Sequence, residues 1–225
     1  RTLSDRELTY GVFSGERSRL ERSIITIVYQ RHDRKPVAFN ALALMDLSLA
    51  ARPQEVMHLG LVMVDPEARS RGLSWILYGL TCFLMFLRHQ LRPLWVSNVT
   101  QVPAIVGMVS ESFSGIFPSP LEGARRSLTQ LILARQIMSN HRHVFGVGPE
   151  AQFDEDRFVI TNAYTGGSEA LKKSFDVAAK HRDESYNEYC RNELDYARGD
   201  DVLQLGQMNM KAARAYLTGA VPRGS

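Results

Sequence analysis

The stretch that decides the fold is residues 59–74, which read Leu-Gly-Leu-Val-Met-Val-Asp-Pro-Glu-Ala-Arg-Ser-Arg-Gly-Leu-Ser. A run rich in Val and Leu stops at Asp65-Pro66, a short turn carries Arg69, Arg71 and Gly72, and a long apolar segment follows. This order predicts a strand, a turn and the start of a helix, which together direct backbone N–H groups and guanidinium groups at one point. The stretch therefore predicts a binding site for phosphate or pyrophosphate.

The remaining chain predicts an α/β fold, with a mixed, twisted sheet that has helices on both faces. We expect strands at 24–30, 37–45, 55–64 and 94–98, the first two forming an antiparallel hairpin, and helices at 73–90 and 102–113. Later segments predict a helix at 121–140, short strands at 144–147 and 157–163, and helical structure over 168–217. The helix at 73–90 is apolar nearly all round, which predicts cover on both of its faces, the later helices supplying the second.

Composition and charge are those of a globular protein. The chain has 225 residues, of which 44% are hydrophobic and 23% charged, and its formal net charge is +3. No basic stripe alternates with aromatic residues, so nucleic-acid binding is disfavoured. The longest apolar run, 73–87, is shorter than the roughly 20 residues that span a bilayer, and no signal peptide is recognisable. We therefore predict a cytoplasmic protein without a membrane span.

Cysteine and histidine spacing gives no sign of a bound metal. Cys82 and Cys190 lie far apart and form neither a disulfide framework nor a metal-binding pattern, and the group His141, Arg142 and His143 lacks a further ligand nearby. We predict no metal and reduced thiols. Residues 220–225 resemble the remnant of an expression linker and are excluded from the fold.

Two motifs resemble those of the GCN5-related N-acetyltransferase (GNAT) superfamily. The first is Arg69-x-x-Gly72-x-Ser74, which is similar to the family's (Arg/Gln)-x-x-Gly-x-(Gly/Ala) turn that grips the pyrophosphate of coenzyme A. Residues 101–113 resemble the second signature, Asn-x-x-Ala-x-x-x-Tyr-x-x-x-Gly-Phe. The resemblance covers about a quarter of the chain, and the hairpin upstream is consistent with its order of elements.

The second motif departs from the family pattern at three positions. Ala104 and Phe113 match, whereas Gln101 stands for Asn, Met108 for Tyr and Ser112 for Gly. Met108 lacks the hydroxyl that many members use to protonate the departing thiolate. Because a thiol has a pKa of about 8–9, the thiolate can leave without that acid, or another group can supply the proton.

The resemblance implies a co-substrate, acyl-CoA, most simply acetyl-CoA, and names the residues that would bind it. The strand 55–64 is similar to the family's fourth strand, whose backbone N–H groups near Met63 and Val64 would polarise the thioester carbonyl. The strand 94–98, ending at Asn98, would be the splayed fifth strand, with the donor between the two. The turn would bind pyrophosphate through six residues: Arg69, Ser70, Arg71, Gly72, Leu73 and Ser74.

The predicted catalytic base is His58, which lies where the histone-acetylating members carry a Glu. An imidazole with an ordinary pKa of about 6.5 can accept a proton from an incoming ammonium, directly or through water. Glu55 is the second choice, because a regular strand would direct it to the opposite side. No Cys or Ser nucleophile with a nearby base is recognisable, which favours direct attack by the amine.

Several functional alternatives stay open at this point. The predicted activity is acyl transfer from acyl-CoA to an amine, on a small molecule or a peptide. A long-chain N-acyl amino acid synthase fed by acyl carrier protein, and a non-catalytic acyl-CoA-binding module, are the alternatives. We expect residues 1–165 to form the acyltransferase core and 166–219 to form a helical extension, packed on the core or at a homodimer interface. The acceptor, the acyl length, the general acid and the oligomeric state stay undetermined.

Overall fold

The computed structural model describes residues 8–68 and 72–219. Arg69, Ser70 and Arg71, predicted to bind pyrophosphate, and the linker-like residues 220–225 lie outside the described residues. The α-helices and strands of the described residues are, in the first half of the chain, α1 (Arg17–Glu21), β1 (Ser23–Tyr29), β2 (Pro36–Leu49), β3 (Arg52–His58), β4 (Val62–Val64), α2 (Leu73–Arg88), β5 (Leu94–Thr100) and α3 (Pro103–Ser112). In the second half they are β6 (Ser114–Phe117), α4 (Leu128–Gln136), β7 (Gln152–Asp154), β8 (Val159–Thr161), α5 (Glu184–Glu193), β9 (Asp201–Met208) and α6 (Met210–Leu217).

The strands of the described residues form one mixed sheet in the order β1-β2-β3-β5-β9-β8-β7, with β4 paired to β2 and β6 paired to β9. Only β3 and β5 run parallel, and every other described pair is antiparallel. The predicted hairpin is confirmed, since β1 pairs with β2 from Ser23–Ala43 to Tyr29–Pro36. The predicted mixed α/β fold is confirmed as well.

Side-chain alternation along the strands builds a core on each face of the sheet. On one face Met45 and Val56 pack with Leu133 of α4. On the other face Leu42 and Met57 pack with side chains of α2 such as Phe86. Residues one position apart on a strand point to opposite faces, so each strand contributes to both cores. Helices therefore cover both faces of the sheet, as predicted.

The prediction of helix throughout 168–217 is wrong, because this segment contains the strand β9. It lies between β5 and β8, and Val202, Leu203 and Leu205 are fully buried. A strand that is covered on both faces carries apolar residues on both, so its sequence loses the alternation that marks a half-exposed strand. Residues 166–219 thus complete the sheet instead of extending a finished core.

Three other predicted elements differ in their limits. The helix expected at 121–140 begins only at Leu128, because the Ser127 side chain accepts from the backbone N–H of Gln130 in a capping box. The strand expected at 144–147 is a short 3-10 helix, Arg142–Phe145. The strand expected at 55–64 is interrupted between β3 and β4.

One face of α2 is covered by α6, and another is left exposed. The Tyr216 ring lies 4.8 Å from that of Trp75, and a Cβ on Gly79 would lie 2.0 Å from Tyr216. A stripe of α2 residues is exposed by 41% to 52%: Ile76, Leu80, Leu84 and Leu87. The predicted cover by late helices thus holds only on the α6 side. No helix within the described ranges is long and apolar enough to cross a bilayer.

The interruption between β3 and β4 depends on Gly60. The Leu59 N–H donates to the Ser97 carbonyl at 2.7 Å, and the Ala41 N–H donates to the Leu61 carbonyl at 3.1 Å. Between these two bonds the backbone of Gly60 passes so close to β2 that a Cβ would lie 2.1 Å from the Ala41 carbonyl oxygen. The Tyr78 hydroxyl donates to the Gly60 carbonyl from the other side. Only glycine fits this backbone path without a shift of β2.

We therefore expect Gly60→Ala to destabilise the fold by about 1–3 kcal/mol, the usual cost of overpacking. Val177→Ala is the control, since Val177 is 73% exposed and the change leaves its backbone conformation allowed. Thermal unfolding followed by circular dichroism measures both variants. Equal melting temperatures for the two would show that the contact with Ala41 is not limiting.

Candidate active site

The sheet has a gap, which begins where β3 ends: β4 continues the chain of β3 but no longer pairs with β5. β3 and β5 are paired from Val56–Trp95 to His58–Ser97. Beyond that point β4 pairs with β2 alone, and residues 98–100 of β5 pair with β9 alone. The two parallel strands thus form a V whose vertex is the His58–Ser97 pair, and whose arms expose backbone groups that no neighbouring strand uses.

Backbone alternation identifies which amides of β4 face this gap. The Leu61 carbonyl and the Asp65 N–H both bond to β2. Successive residues of a strand point their backbone groups to opposite sides, so Val62 and Val64 direct theirs into the gap, and Met63 directs its own toward β2. Of the two amides predicted as donors, that of Val64 faces the gap and that of Met63 faces β2. The Val62 amide also faces the gap.

A cavity of about 370 Å³ passes through the gap. On the α2 side it is lined by Val62, Ser74, Tyr78, Ile105 and Met108. On the α4 side its lining includes Tyr10, His58, Phe145, Tyr164, Ser168 and Asp201. Because the lining comes from both cores, the cavity joins the two faces of the sheet at the vertex of the V. Its volume is within the usual range for small-molecule sites, about 300–1,000 Å³.

His58 lies at the vertex and is only 3% exposed. Its Nδ1 lies 3.0 Å from the Ser97 Oγ, and its ring centroid lies 5.0 Å from that of Phe145. Burial lowers the pKa of His58 to about 4, so the imidazole is neutral at pH 7. When Nδ1–H donates to Ser97, the lone pair of Nε2 is the one that can accept a proton.

Glu55 is not brought to the same place. It lies three residues before His58, an odd spacing that turns it to the other face of the strand. Its carboxylate lies 3.8 Å from the guanidinium of Arg22, and it is paired across the strands with Asp46. Glu55 does not line the cavity.

The N-terminus of α2 opens toward the cavity. Gly72 adopts a left-handed φ of 68° and caps the helix without a side-chain hydrogen bond. The N–H groups of Leu73 and Ser74 have no acceptor among the described residues, and a helix N-terminus of this kind suits an anion. Ser74 lines the cavity. Asn98 also lines it, buried, with its Nδ2 donating to Gln204 Oε1 at 3.2 Å.

Asp201 is a site residue that sequence reasoning missed. It is the first residue of β9, is 5% exposed and lines the cavity, and its Oδ1 accepts a hydrogen bond from the Tyr164 hydroxyl at 2.7 Å. Burial raises the pKa of Asp201 to about 7, although the Tyr164 bond opposes the rise. The signal was an acidic residue directly before the apolar run 202–205, which becomes informative once that run is identified as a buried strand.

The comparisons with known proteins give partial structural similarities. No protein-family model and no curated protein matches the chain. A mutant of the BH1408 protein from Bacillus halodurans is similar over 31% of this chain and 45% of its own, with 17% identity and a TM-score of 0.27. An acetyltransferase from Vibrio fischeri is similar over 33% of this chain and 60% of its own, with 12% identity and a TM-score of 0.28.

A third similar structure is a mutant AtaT toxin bound to the C-terminus of the antitoxin AtaR and acetyl-CoA. It shares 15% identity over 42% of this chain and 69% of its own, with a TM-score of 0.29. The chain spans less than two thirds of the first two neighbours. An acetyltransferase and an acetyl-CoA complex thus occur among the structural neighbours, but similarities of this size carry no argument about activity.

The raised pKa of Asp201 predicts a pH-dependent cost to stability. Folded Asp201 keeps its proton up to about pH 7, whereas the unfolded side chain loses it near its ordinary pKa of 3.8. The unfolded state therefore binds fewer protons in this window, and stability falls as pH rises through it. Asp201→Asn removes the titrating carboxyl group and with it this loss of stability. The free energy of unfolding of the variant minus that of the wild type should therefore increase between pH 4 and pH 8, by on the order of 2–4 kcal/mol. Urea unfolding at several pH values measures the difference, and a difference independent of pH contradicts it.

Proposed function

We propose that the chain is an N-acyltransferase that transfers an acyl group, most simply acetyl, from acyl-CoA to an amine by direct attack. The observation that carries this proposal is the gap between β4 and β5, with the unpaired amides of Val62 and Val64 on one arm and a buried, neutral His58 at its vertex. Attack of an amine on a bound thioester needs hydrogen-bond donors for the carbonyl oxygen and a neutral group that can accept the amine proton. The gap offers both. The fold and the two sequence motifs support the same reading.

The donor's pyrophosphate would bind at the N-terminus of α2. The N–H groups of Leu73 and Ser74 and the positive end of the helix dipole favour an anion there. Arg69, Ser70 and Arg71 complete this site in the proposal, because they directly precede Gly72 in the sequence. From this point the pantetheine arm would run along Ser74 and Asn98, which line the cavity, toward His58.

The thioester carbonyl would accept hydrogen bonds from the gap-facing amides of β4. These amides are held in place by the pairing of β4 with β2 and by the close contact at Gly60, so they need no reorganisation as negative charge develops on the oxygen. Removing one such donor typically costs about 10²–10³ in rate in other enzymes.

His58 would take the proton from the attacking amine. The amine nitrogen forms a bond to the thioester carbon, the C–S bond breaks, the amine proton passes to Nε2 directly or through water, and the thiolate leaves. In this tautomer the Ser97 Oγ positions the ring by accepting a hydrogen bond from Nδ1–H. Met108 lines the cavity where a tyrosine would otherwise offer an acid, so the thiolate takes its proton from solvent in this scheme.

His58→Ala should lower kcat by about 10²-fold or more, since general-base catalysis contributes about 10²–10⁴. Ser97→Ala should lower it less, because the ring remains and loses only its orientation. Release of free coenzyme A in the presence of an amine measures kcat, and calorimetry shows whether donor affinity is retained. Near-normal turnover in His58→Ala together with loss in Glu55→Gln would reverse the assignment of the base.

Gly72→Asp should abolish acetyl-CoA binding, because the carboxylate would repel the pyrophosphate at the helix N-terminus. Gly123→Asp is the matched control: both glycines have a positive φ and open space where a Cβ would lie. Calorimetric titration with acetyl-CoA measures both. Unchanged affinity in Gly72→Asp removes the donor site from the proposal. Binding by the wild type without any turnover would instead support the non-catalytic module, and turnover only with an acyl carrier protein would support the long-chain synthase.

A further inference from the structure

Asp201 is a buried carboxylic acid that has no cationic partner among the residues that the structure describes. Its neighbour Asp200 is bound by Arg198, with the Arg198 Nη2 and Asp200 Oδ2 2.6 Å apart. Within residues 8–68 and 72–219, by contrast, no Lys, Arg or His nitrogen lies within 4.0 Å of the Asp201 carboxylate. Because an unpaired charge inside a protein is costly, such a group in a cavity wall is suited to a cation that arrives with a ligand.

A buried amide oxygen without a donor lies next to Asp201. Thr100, the last residue of β5, is paired with Val202, so Gln101 directly follows β5 at the position beside Asp201, the first residue of β9. Gln101 is 1% exposed, and its Nε2 donates to the Leu171 carbonyl at 3.3 Å, but its Oε1 has no hydrogen-bond partner among the described residues. Gln101 does not itself line the cavity, so the side chain there that can take up N–H donors of a cationic ligand is Asp201, whose Oδ1 already accepts from Tyr164.

The surroundings of Asp201 are aromatic. Tyr164 donates its hydroxyl to the carboxylate, and Tyr10 lines the same cavity. Burial raises the pKa of Tyr10 to about 12, and the charge of Asp201 acts in the same direction, so both phenols stay protonated. A carboxylate beside tyrosine rings is a suitable environment for an organic ammonium group, which the rings attract through their π faces.

Asp201 and His58 lie on the same face of the sheet but are well separated. His58 is paired with Ser97 of β5, and Asp201 lies beside Gln101, four residues further along. At about 3.3 Å per residue, this is a distance of roughly 13 Å along the strand direction. The cation that Asp201 binds is therefore a different group from the amine that reacts at His58.

We propose that the acceptor is a diamine-type molecule, whose reacting amino group lies beside His58 while its second, cationic group binds Asp201. This inference rests on the proposed function. An aliphatic diamine or a basic amino acid side chain with a free α-amine has the required chemistry. Among the described residues that line the cavity, Lys173 is the other charged one, and it is exposed. His58 also lines the cavity but is neutral at pH 7.

The ionisation of Asp201 gives a readout that is independent of turnover. With a pKa raised to about 7, part of the population is protonated near neutral pH, and a bound ammonium would shift it to the carboxylate. The groups that interact with Asp201 are three tyrosines whose pKa values are raised away from this range, Tyr10, Tyr164 and Tyr196, and Asp200, which is paired with Arg198. Binding of a diamine at pH 7 should therefore release protons, which calorimetry in buffers of different ionisation enthalpy detects.

The test compares cadaverine with n-hexylamine, in which a methyl group replaces the second ammonium. The wild type should bind cadaverine at least tenfold more tightly, with proton release. Asp201→Asn, which keeps an oxygen for the Tyr164 bond, should bring this ratio close to one. Asp156→Asn is the control, because its side chain is 89% exposed and remote from the cavity lining. Equal affinity of the wild type for both amines overturns the proposal without recourse to any variant.

Turnover separates this inference from the proposed function. If coenzyme A is released with both amines but without preference, the acyltransferase function stands and the diamine subsite falls. If cadaverine binds in an Asp201-dependent way but no amine promotes coenzyme A release, the cation subsite stands and the proposed function falls.

Discussion

The close approach of Gly60 to the Ala41 carbonyl is the constraint on which the rest of the site depends. It allows the chain to pair with β5 along β3, as far as the Leu59–Ser97 hydrogen bond, and then to turn away from β5 along β4. The features of the proposed site follow from this separation. They are the gap-facing amides of Val62 and Val64, the passage between the two faces of the sheet, and the position of His58 where the strands begin to separate. Tyr78 fixes the same point from α2, so the helix whose N-terminus would bind the donor also holds the strand that would polarise it.

The cavity combines two buried titratable groups whose environments shift their pKa values in opposite senses. Burial disfavours the charged form of each, which keeps His58 neutral at pH 7 and part of Asp201 protonated. The proposed roles, a proton acceptor at His58 and a cation site at Asp201, use these two states. The Asp201 shift lowers folding stability as pH rises above about 4, whereas the His58 shift lowers it only as pH falls below about 6.5. Because strongly shifted pKa values cluster at functional sites, the two groups support the roles proposed for this cavity.

The parts of the fold with strong local signals could be predicted from the sequence. The hairpin, α2 and α3 have clear periodicity, and the turn at Gly72 has a glycine that the left-handed φ requires. β9 could not be recognised, because burial on both faces removes its alternation and because its partners β5 and β8 are distant in sequence. Asp201 was missed for the same reason. Its role depends on Tyr164 and Gln101, which only the tertiary fold brings near. Glu55 and His58 could be separated by strand parity, whereas the direction of the Met63 amide required the register of β4 against β2.

The central claim is that the gap between β4 and β5 holds the thioester of acyl-CoA. A crystal structure of the protein with coenzyme A tests it most directly. The account predicts the sulfur atom between the Val62–Val64 segment and residues 98–100, next to His58, with the pyrophosphate on the first-turn amides of α2. Coenzyme A bound elsewhere on the chain, with this gap closed by its own side chains, would contradict it.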